Sequence, residues 1–411
     1  MKQTNRVSIE FSLLWKSKYG THKDRYFAAK IDSWRDIFPS DLKENIFKLK
    51  EKKTYKQNFK PGILTSSYKT SNIIEFKKRA LEQNHKNSKT DFCLGRFYPK
   101  GIAWSGLKCF KDDINPFRLV DMKDGIFTAD TNHPLSKYPL GIKARLTERL
   151  NTFEERGGEC NDIAELVTNN GPGMQIPYPD LNTDFYTSYP FKRTNEDNDS
   201  IFYQSERMVN HLDTTAINQV KDIYSQNLFS GMKILDLMSS WTSHIPANIK
   251  NCHITGLGLN KKELQANKQL SEIILHDLNL DIVLPFKDNQ FDAVICTSSI
   301  EYLIRPLEII KEVARVLKPQ GVLIIVFSNR WFEGKQIISW SDMHDFERLG
   351  YVLDLYLKSD EFDNLQTESI RGLQRPLDDK YINERLTSDP VFAVLGKKKK
   401  CSTQGKVRLY G

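Results

Sequence analysis

HDLNLDIVLPFKDNQFDAVICTSSIEYLIRPLEIIKEVARVLKPQGVLIIVFSN, residues 276–329, alternates two textures. FDAVICT and VLIIVF are near-continuous apolar runs, the pattern of strands covered by helices on both faces. Between them, PLEIIKEVARVL repeats its apolar residues at helical spacing. Upstream, MKILDLM (232–238), HITGLGL (253–259) and SEIILHDL (271–278) continue the strand-like runs. Such alternation predicts a parallel, doubly wound α/β sheet from about residue 231 to 318. Ligands of such sheets sit at the carboxyl ends of the strands, where strand order reverses. Those ends fall at 236–244, 256–260, 277–279 and 297–301.

The chain has 411 residues, which argues for more than one domain. With 39% hydrophobic and 27% charged residues, disorder as the main state is excluded. Lys and Arg outnumber Asp and Glu by 60 to 52, and the resulting +8 is too mild to suggest a nucleic-acid surface. The opening MKQTNRVSIEFSLLWKSKYG has no long apolar run, and charges interrupt every later one. A cytoplasmic protein without a membrane partner is expected. Cys93, Cys109, Cys160, Cys252, Cys296 and Cys401 show no C-x-x-C spacing and read as free thiols. Composition divides the chain into 1–150, rich in short β-type runs; 151–205, a connection dense in Pro, Asn and Asp; 206–396, the α/β part; and 397–411, a basic tail.

Residues 206–396 resemble the class I S-adenosylmethionine-dependent methyltransferases, of the type 11 kind. The specific elements are LPF-x-D-x-x-FD and EVARVLKP-x-G, in family order. The resemblance implies a Rossmann-like sheet with S-adenosylmethionine over the loop that follows ILDL. Asp236, Met238, Ser239, Ser240, Trp241, Gly258, Asn260, Asp277 and Leu278 are the positions it assigns to the cofactor. The family's first loop usually reads D-x-G-x-G-x-G, since glycine lets backbone amides approach the ligand. Here DLMSSWTSH places Met238, Ser240 and Thr242 at the glycine positions. The acid that normally ends the second strand is replaced by Gly258, with Asn260 or Glu263 as nearby substitutes. Ser239, Ser240, Thr242 and Ser243 bring hydroxyls able to cap a turn or bond a carboxylate. Core packing is expected for Trp241, and His244 adds a titratable ring.

Methyl transfer asks little of a protein beyond placing a nucleophile in line with the sulfonium methyl. Glu301 is a conceivable base, although a Glu at a helix start is favoured by the helix dipole alone. After the fifth strand, Phe346, Leu349 and Val352 read as one face of a packed helix. Arg330, Trp331, Trp340 and His344 are expected near the strand ends, and His344 with Glu347 makes no metal signature.

In the first half, FRLVDMKDGIFTADTNHPLSKYPLGIKARLTE resembles the closing hairpin of FKBP-type prolyl isomerases of the SlyD-like branch. Asp130, Asn132, His133, Pro134, Leu135 and Leu140 match, while Ser136 and Lys137 replace a small Ala-Gly pair. FPSDLKENIFKLKEKKTYKQNFKPG adds Asp41, Leu42, Leu49 and Lys50 to the pattern. The resemblance covers 6–62 and 114–150 and implies an α+β, antiparallel FKBP-like module. Its pocket aromatics cannot be placed, and His133 reads as a turn residue rather than a metal ligand.

The leading expectation is S-adenosylmethionine-dependent methyl transfer to an unknown acceptor, small molecule or protein. The alternatives are a non-catalytic binding or chaperone-like protein that keeps the fold, and a peptidyl-prolyl isomerase.

Overall fold

The computed structural model describes residues 6–81, 92–151, 158–187 and 189–400. In chain order its strands are β1 (Arg6–Ser17), β2 (Gly20–Asp32), β3 (Thr54–Phe59), β4 (Ile73–Lys77), β5 (Phe97–Pro99), β6 (Pro116–Lys123), β7 (Ile126–Asp130), β8 (Leu140–Leu150), β9 (Lys233–Leu237), β10 (His253–Gly258), β11 (Glu272–Leu275), β12 (Phe291–Thr297), β13 (Leu317–Phe327), β14 (Phe362–Arg371) and β15 (Val391–Lys398).

Eleven of them form one mixed sheet, ordered β11-β10-β9-β12-β13-β15-β14-β2-β1-β8-β3. From β11 to β13 the strands are parallel. Leu323 to Phe327 of β13 are fully buried, as the apolar run requires. The helix Pro306–Val316 buries Ile309, Ile310, Val313 and Ala314, its one apolar stripe. The helix Asp345–Ser359 is closed at its start by a reciprocal pair. The His344 ring accepts from the Phe346 amide at 3.2 Å, and Glu347 accepts from the His344 amide at 3.2 Å. Phe346, Leu349 and Val352 lie in the core.

The sequence predicts a separate antiparallel sheet for the first half, but β2 instead lies parallel to β14, with Thr21 opposite Gln366 and Tyr26 opposite Arg371. The seam is held by buried polar groups, His22 with Thr367 at 2.8 Å and Ser369 with Asp24 at 2.9 Å. Polar residues at these positions give no local sign of a buried strand partner, which is why composition separates what hydrogen bonding joins. Beyond the seam, β2, β1, β8 and β3 are antiparallel. A second sheet, β4-β7-β6-β5, packs Phe76, Phe117, Leu119 and Phe127 against Ala103 and Leu107.

The connection over 151–205 is more than a spacer. Gln175 and Met174 are buried in it. Arg193 grips Asp199 with two contacts of 2.8 Å, and Lys335 reaches the same carboxylate at 2.9 Å. The basic run at 397–400 likewise begins inside the sheet. Lys398 ends β15 and donates to the Leu317 carbonyl at 2.7 Å, while Lys399 pairs with Asp360. Residues 401–411, with Cys401, lie outside the described part. Among the described residues, no helix is long and apolar enough to cross a membrane, and no group of three His, Cys, Asp or Glu could hold a metal ion.

Candidate active site

Strand order reverses between β9 and β12, so the connections leaving their carboxyl ends diverge and open a crevice. A cavity open to solvent lies there. Asp236, Met238, Ser239, Ser240, Trp241, Gly258, Asn260, Asp277 and Leu278 all line it. Glu301 does not.

The loop after β9 is built from its own hydroxyls. The Ser239 amide donates to the Leu257 carbonyl at 2.7 Å, and its hydroxyl donates to Asp236 at 2.6 Å. The Ser240 hydroxyl donates to Glu263 at 2.6 Å, while Asn267 donates to the Ser240 carbonyl and to the Ser243 hydroxyl, each at 2.9 Å. Met238, at the first glycine position, has φ 56°, the left-handed region that glycine enters without strain. The backbone thus keeps a glycine-like path while carrying a side chain. Trp241, expected in a core, is half-buried on the cavity wall, its indole N–H donating to the Val209 carbonyl at 3.1 Å. Local sequence misleads here because the wall it joins comes from residue 209.

The missing acid of β10 has a steric cause. A Cβ at Gly258 would stand 2.4 Å from the Ser239 carbonyl oxygen, so no side chain fits there. Asn260 is occupied elsewhere, accepting from the Lys262 and Glu263 amides at 3.0 and 3.1 Å and donating to the Tyr203 carbonyl at 2.9 Å. Glu263, one turn along, faces the cavity and also accepts from the Arg207 amide at 2.7 Å.

Burial pushes the Asp236 carboxyl up to about 6, against the opposing hydrogen bonds of Ser239 and Ser243. Burial also lowers His244, to about 4, and His211, so both rings are neutral at pH 7. Asp199, Asp236, Glu263 and Asp277 give the cavity four carboxylates, of which Asp199 is paired with Arg193 and Lys335, against the guanidinium of Arg207. Ser298, at φ 49° after β12, lines the cavity with a buried hydroxyl that has no hydrogen-bond partner. This set suits a ligand with positive charge and hydroxyl or amide groups.

Glu301 is 1% exposed, its Oε2 has no hydrogen-bond partner, and burial raises its pKa to about 8. A base needs a path to the substrate, and none is open here. Of Arg330, Trp331, Trp340 and His344, the last three meet at Arg348 while Arg330 stands apart, and none of the four lines the cavity. Arg330 lies over Tyr381, Trp331 lies under Arg348, Trp340 is buried in the core, and His344 caps its helix. Sequence reasoning missed Tyr203, which the connection contributes to the cavity, Arg207 and His211, which lie just beyond it, and Phe332, which follows β13. The Arg207 guanidinium stacks at 4.5 Å on Phe202 and 5.1 Å on Phe332. The only prior signal was an aromatic-basic cluster, FYQSER, at the border of the α/β part.

Residues 239–325 match the methyltransferase domain family, a stretch that holds β10 to β12, most of β13 and part of the cavity lining. The match supports S-adenosylmethionine as the cofactor. An uncharacterized protein of Methanocaldococcus jannaschii is 36% identical over 74 residues, 18% of this chain and 29% of that protein, so the chain spans less than a third of its length. Weaker structural likenesses extend to a Haloferax volcanii protein solved with the Trm112 methyltransferase activator (15% identical, 45% of this chain and 91% of that one, TM-score 0.35). A SAM-dependent methyltransferase from Aquifex aeolicus is similar at 14% identity, over 46% of this chain and 91% of that one, with TM-score 0.31.

Proposed function

We propose that this chain transfers a methyl group from S-adenosylmethionine to a nucleophilic acceptor held in the cavity at the β9–β12 reversal. The observation that carries the reading is the convergence on that cavity of Asp236, the 238–242 loop, Glu263 and Asp277. When bound, the cofactor supplies an electrophilic methyl on a cationic sulfur. Asp236, Glu263 and Asp277 offset that positive charge, and the Ser298 hydroxyl is free to bond the ligand. Tyr203, Tyr302 and Phe332 line the cavity and offer the acceptor aromatic surface to pack on. His211, neutral at pH 7, is placed to take a proton from an acceptor hydroxyl or amine. Met238 weakens the case for a fold that has lost its ligand, because its backbone follows the path a glycine would take.

An active prolyl isomerase is not favoured. The NHPL turn that suggests it borders a cavity whose aromatic walls also hold the buried Arg118 guanidinium and Asp130, and charge of that kind opposes the desolvation of an X-Pro amide. Calorimetry of the full chain with S-adenosylmethionine tests the methyltransferase reading. Asp236→Ala should weaken binding, and unchanged affinity in a folded variant would reject this cavity.

A further inference from the structure

Far from the β9–β12 cavity in sequence, the turn after β7 borders a second, small cavity that is open to solvent. Its walls are flat and apolar, from Tyr68, Phe97, Pro134, Tyr138 and Tyr178. Into this lining β6 brings Arg118, which is 6% exposed. Its guanidinium donates to the Ile176 carbonyl at 2.6 Å and lies 4.1 Å from the centre of the Phe97 ring. Its Nε has no hydrogen-bond partner, and no carboxylate lies within ion-pair distance of it among the described residues.

Buried guanidinium groups are ordinarily paired, because an unpaired charge out of water is costly. Burial here lowers the Arg118 pKa to about 10, a sign of how little offsets the charge. Glu347, off the lining, and Asp130, the one acid on it, offset the Arg118 charge in part without pairing with it. The Asp130 carboxylate accepts from the Asn132 amide at 2.8 Å and from the Asn132 side chain at 2.9 Å. At the rim, the exposed Lys137 holds its ammonium 3.6 Å from the Tyr68 ring centre. Counting Arg118, Lys137 and Asp130, the lining carries one net positive charge, which a single monoanion would balance.

We propose that this cavity binds the carboxylate of a small ligand with a flat apolar body, its charge taken by Arg118 and Lys137 and its body by the aromatic walls. A planar guanidinium with an unused N–H suits the fork geometry of a carboxylate. The residues that resemble the prolyl isomerase turn, Asn132, His133 and Pro134, thereby border an anion site. The His133 ring is spent on structure, accepting from the Leu135 amide at 3.0 Å and lying 3.1 Å from the Thr168 carbonyl.

Calorimetric titration of the full chain with 3-phenylpropanoate tests the proposal, with 3-phenylpropanamide and inorganic phosphate as parallel probes. The acid should bind at about millimolar Kd or tighter, and the amide about tenfold more weakly. Arg118→Gln should cost about tenfold in affinity for the acid, and Lys137→Gln, at an exposed position, a few-fold. Absence of binding by the acid, equal binding of the amide, or tighter binding of phosphate would each overturn the assignment. Should Arg118→Gln fail to fold, Lys137→Gln and the acid–amide contrast decide it, and an unchanged affinity in Lys137→Gln places the ligand elsewhere.

Discussion

The Ser369 hydroxyl donates to the Asp24 carboxylate at 2.9 Å across 345 positions of sequence. Asp24 is buried, and its other donors are the Trp15 indole at 2.9 Å and the Gln175 amide at 3.4 Å. The bond therefore fastens the α/β part to the first half through a group that cannot reach water.

Ser369→Ala should lower stability by about 1–3 kcal/mol, since a buried acceptor loses a donor. Because β2 and β14 share a ladder, Trp15 fluorescence and far-ultraviolet dichroism should shift together in denaturant. Separate midpoints would show that the halves unfold independently.

Gly258→Asp, which restores the acid of the family pattern, should not create a ribose contact. Its Cβ meets the Ser239 carbonyl at 2.4 Å, so the expected outcome is a loss of about 1–3 kcal/mol in stability and no gain in S-adenosylmethionine affinity by calorimetry.

The lost glycines are not equivalent. Ser240→Gly removes the hydroxyl that bonds Glu263 and should weaken S-adenosylmethionine binding by about 1 kcal/mol. Met238→Gly, at φ 56°, relieves a backbone penalty while giving up side-chain packing, and should change stability by no more than about 1 kcal/mol. Tighter binding in Ser240→Gly would mean that the hydroxyl obstructs the ligand.

The parallel strands were legible because their signal is local: 291–297 and 322–327 are apolar runs flanking a helical period. The order of the loop residues was legible for the same reason. Three features were not. The crowding at Gly258 depends on the Ser239 carbonyl, which only the folded chain brings near. The burial of Glu301 away from the cavity depends on how the helix after β12 is turned. The β2–β14 seam depends on Asp24 and Ser369, two polar residues that each read as surface.

Asp236 gives the site a pH dependence. Its folded pKa of about 6 lies above the ordinary 3.8, so stability present below pH 4 is lost as pH rises through 6, by about 3 kcal/mol. Asp236→Asn should escape that loss, and its melting temperature should gain on the native chain between pH 4 and 7. S-adenosylmethionine affinity of the native chain should fall as pH drops below 6, with the slope absent in Asp236→Asn.

Glu301→Gln separates burial from chemistry. With the native carboxyl raised to about 8, the native chain should lose stability relative to the variant as pH rises from 5 through 8. Methyl-transfer rate should change by less than about twofold, because Glu301 does not line the cavity. A loss of about a hundredfold would restore it as the base.

The β2–β14 seam also sets a timetable for synthesis. At about 5–20 residues per second, β14 leaves the ribosome roughly 20–70 s after β2. Throughout that interval β2 has β1 on one side and an open ladder on the other, available to any neighbouring nascent chain. The strand carries His22, Lys23, Asp24, Arg25 and Lys30 along its length, and such charges discourage foreign strand pairing. The polar groups that later lock the seam thus also guard the waiting edge.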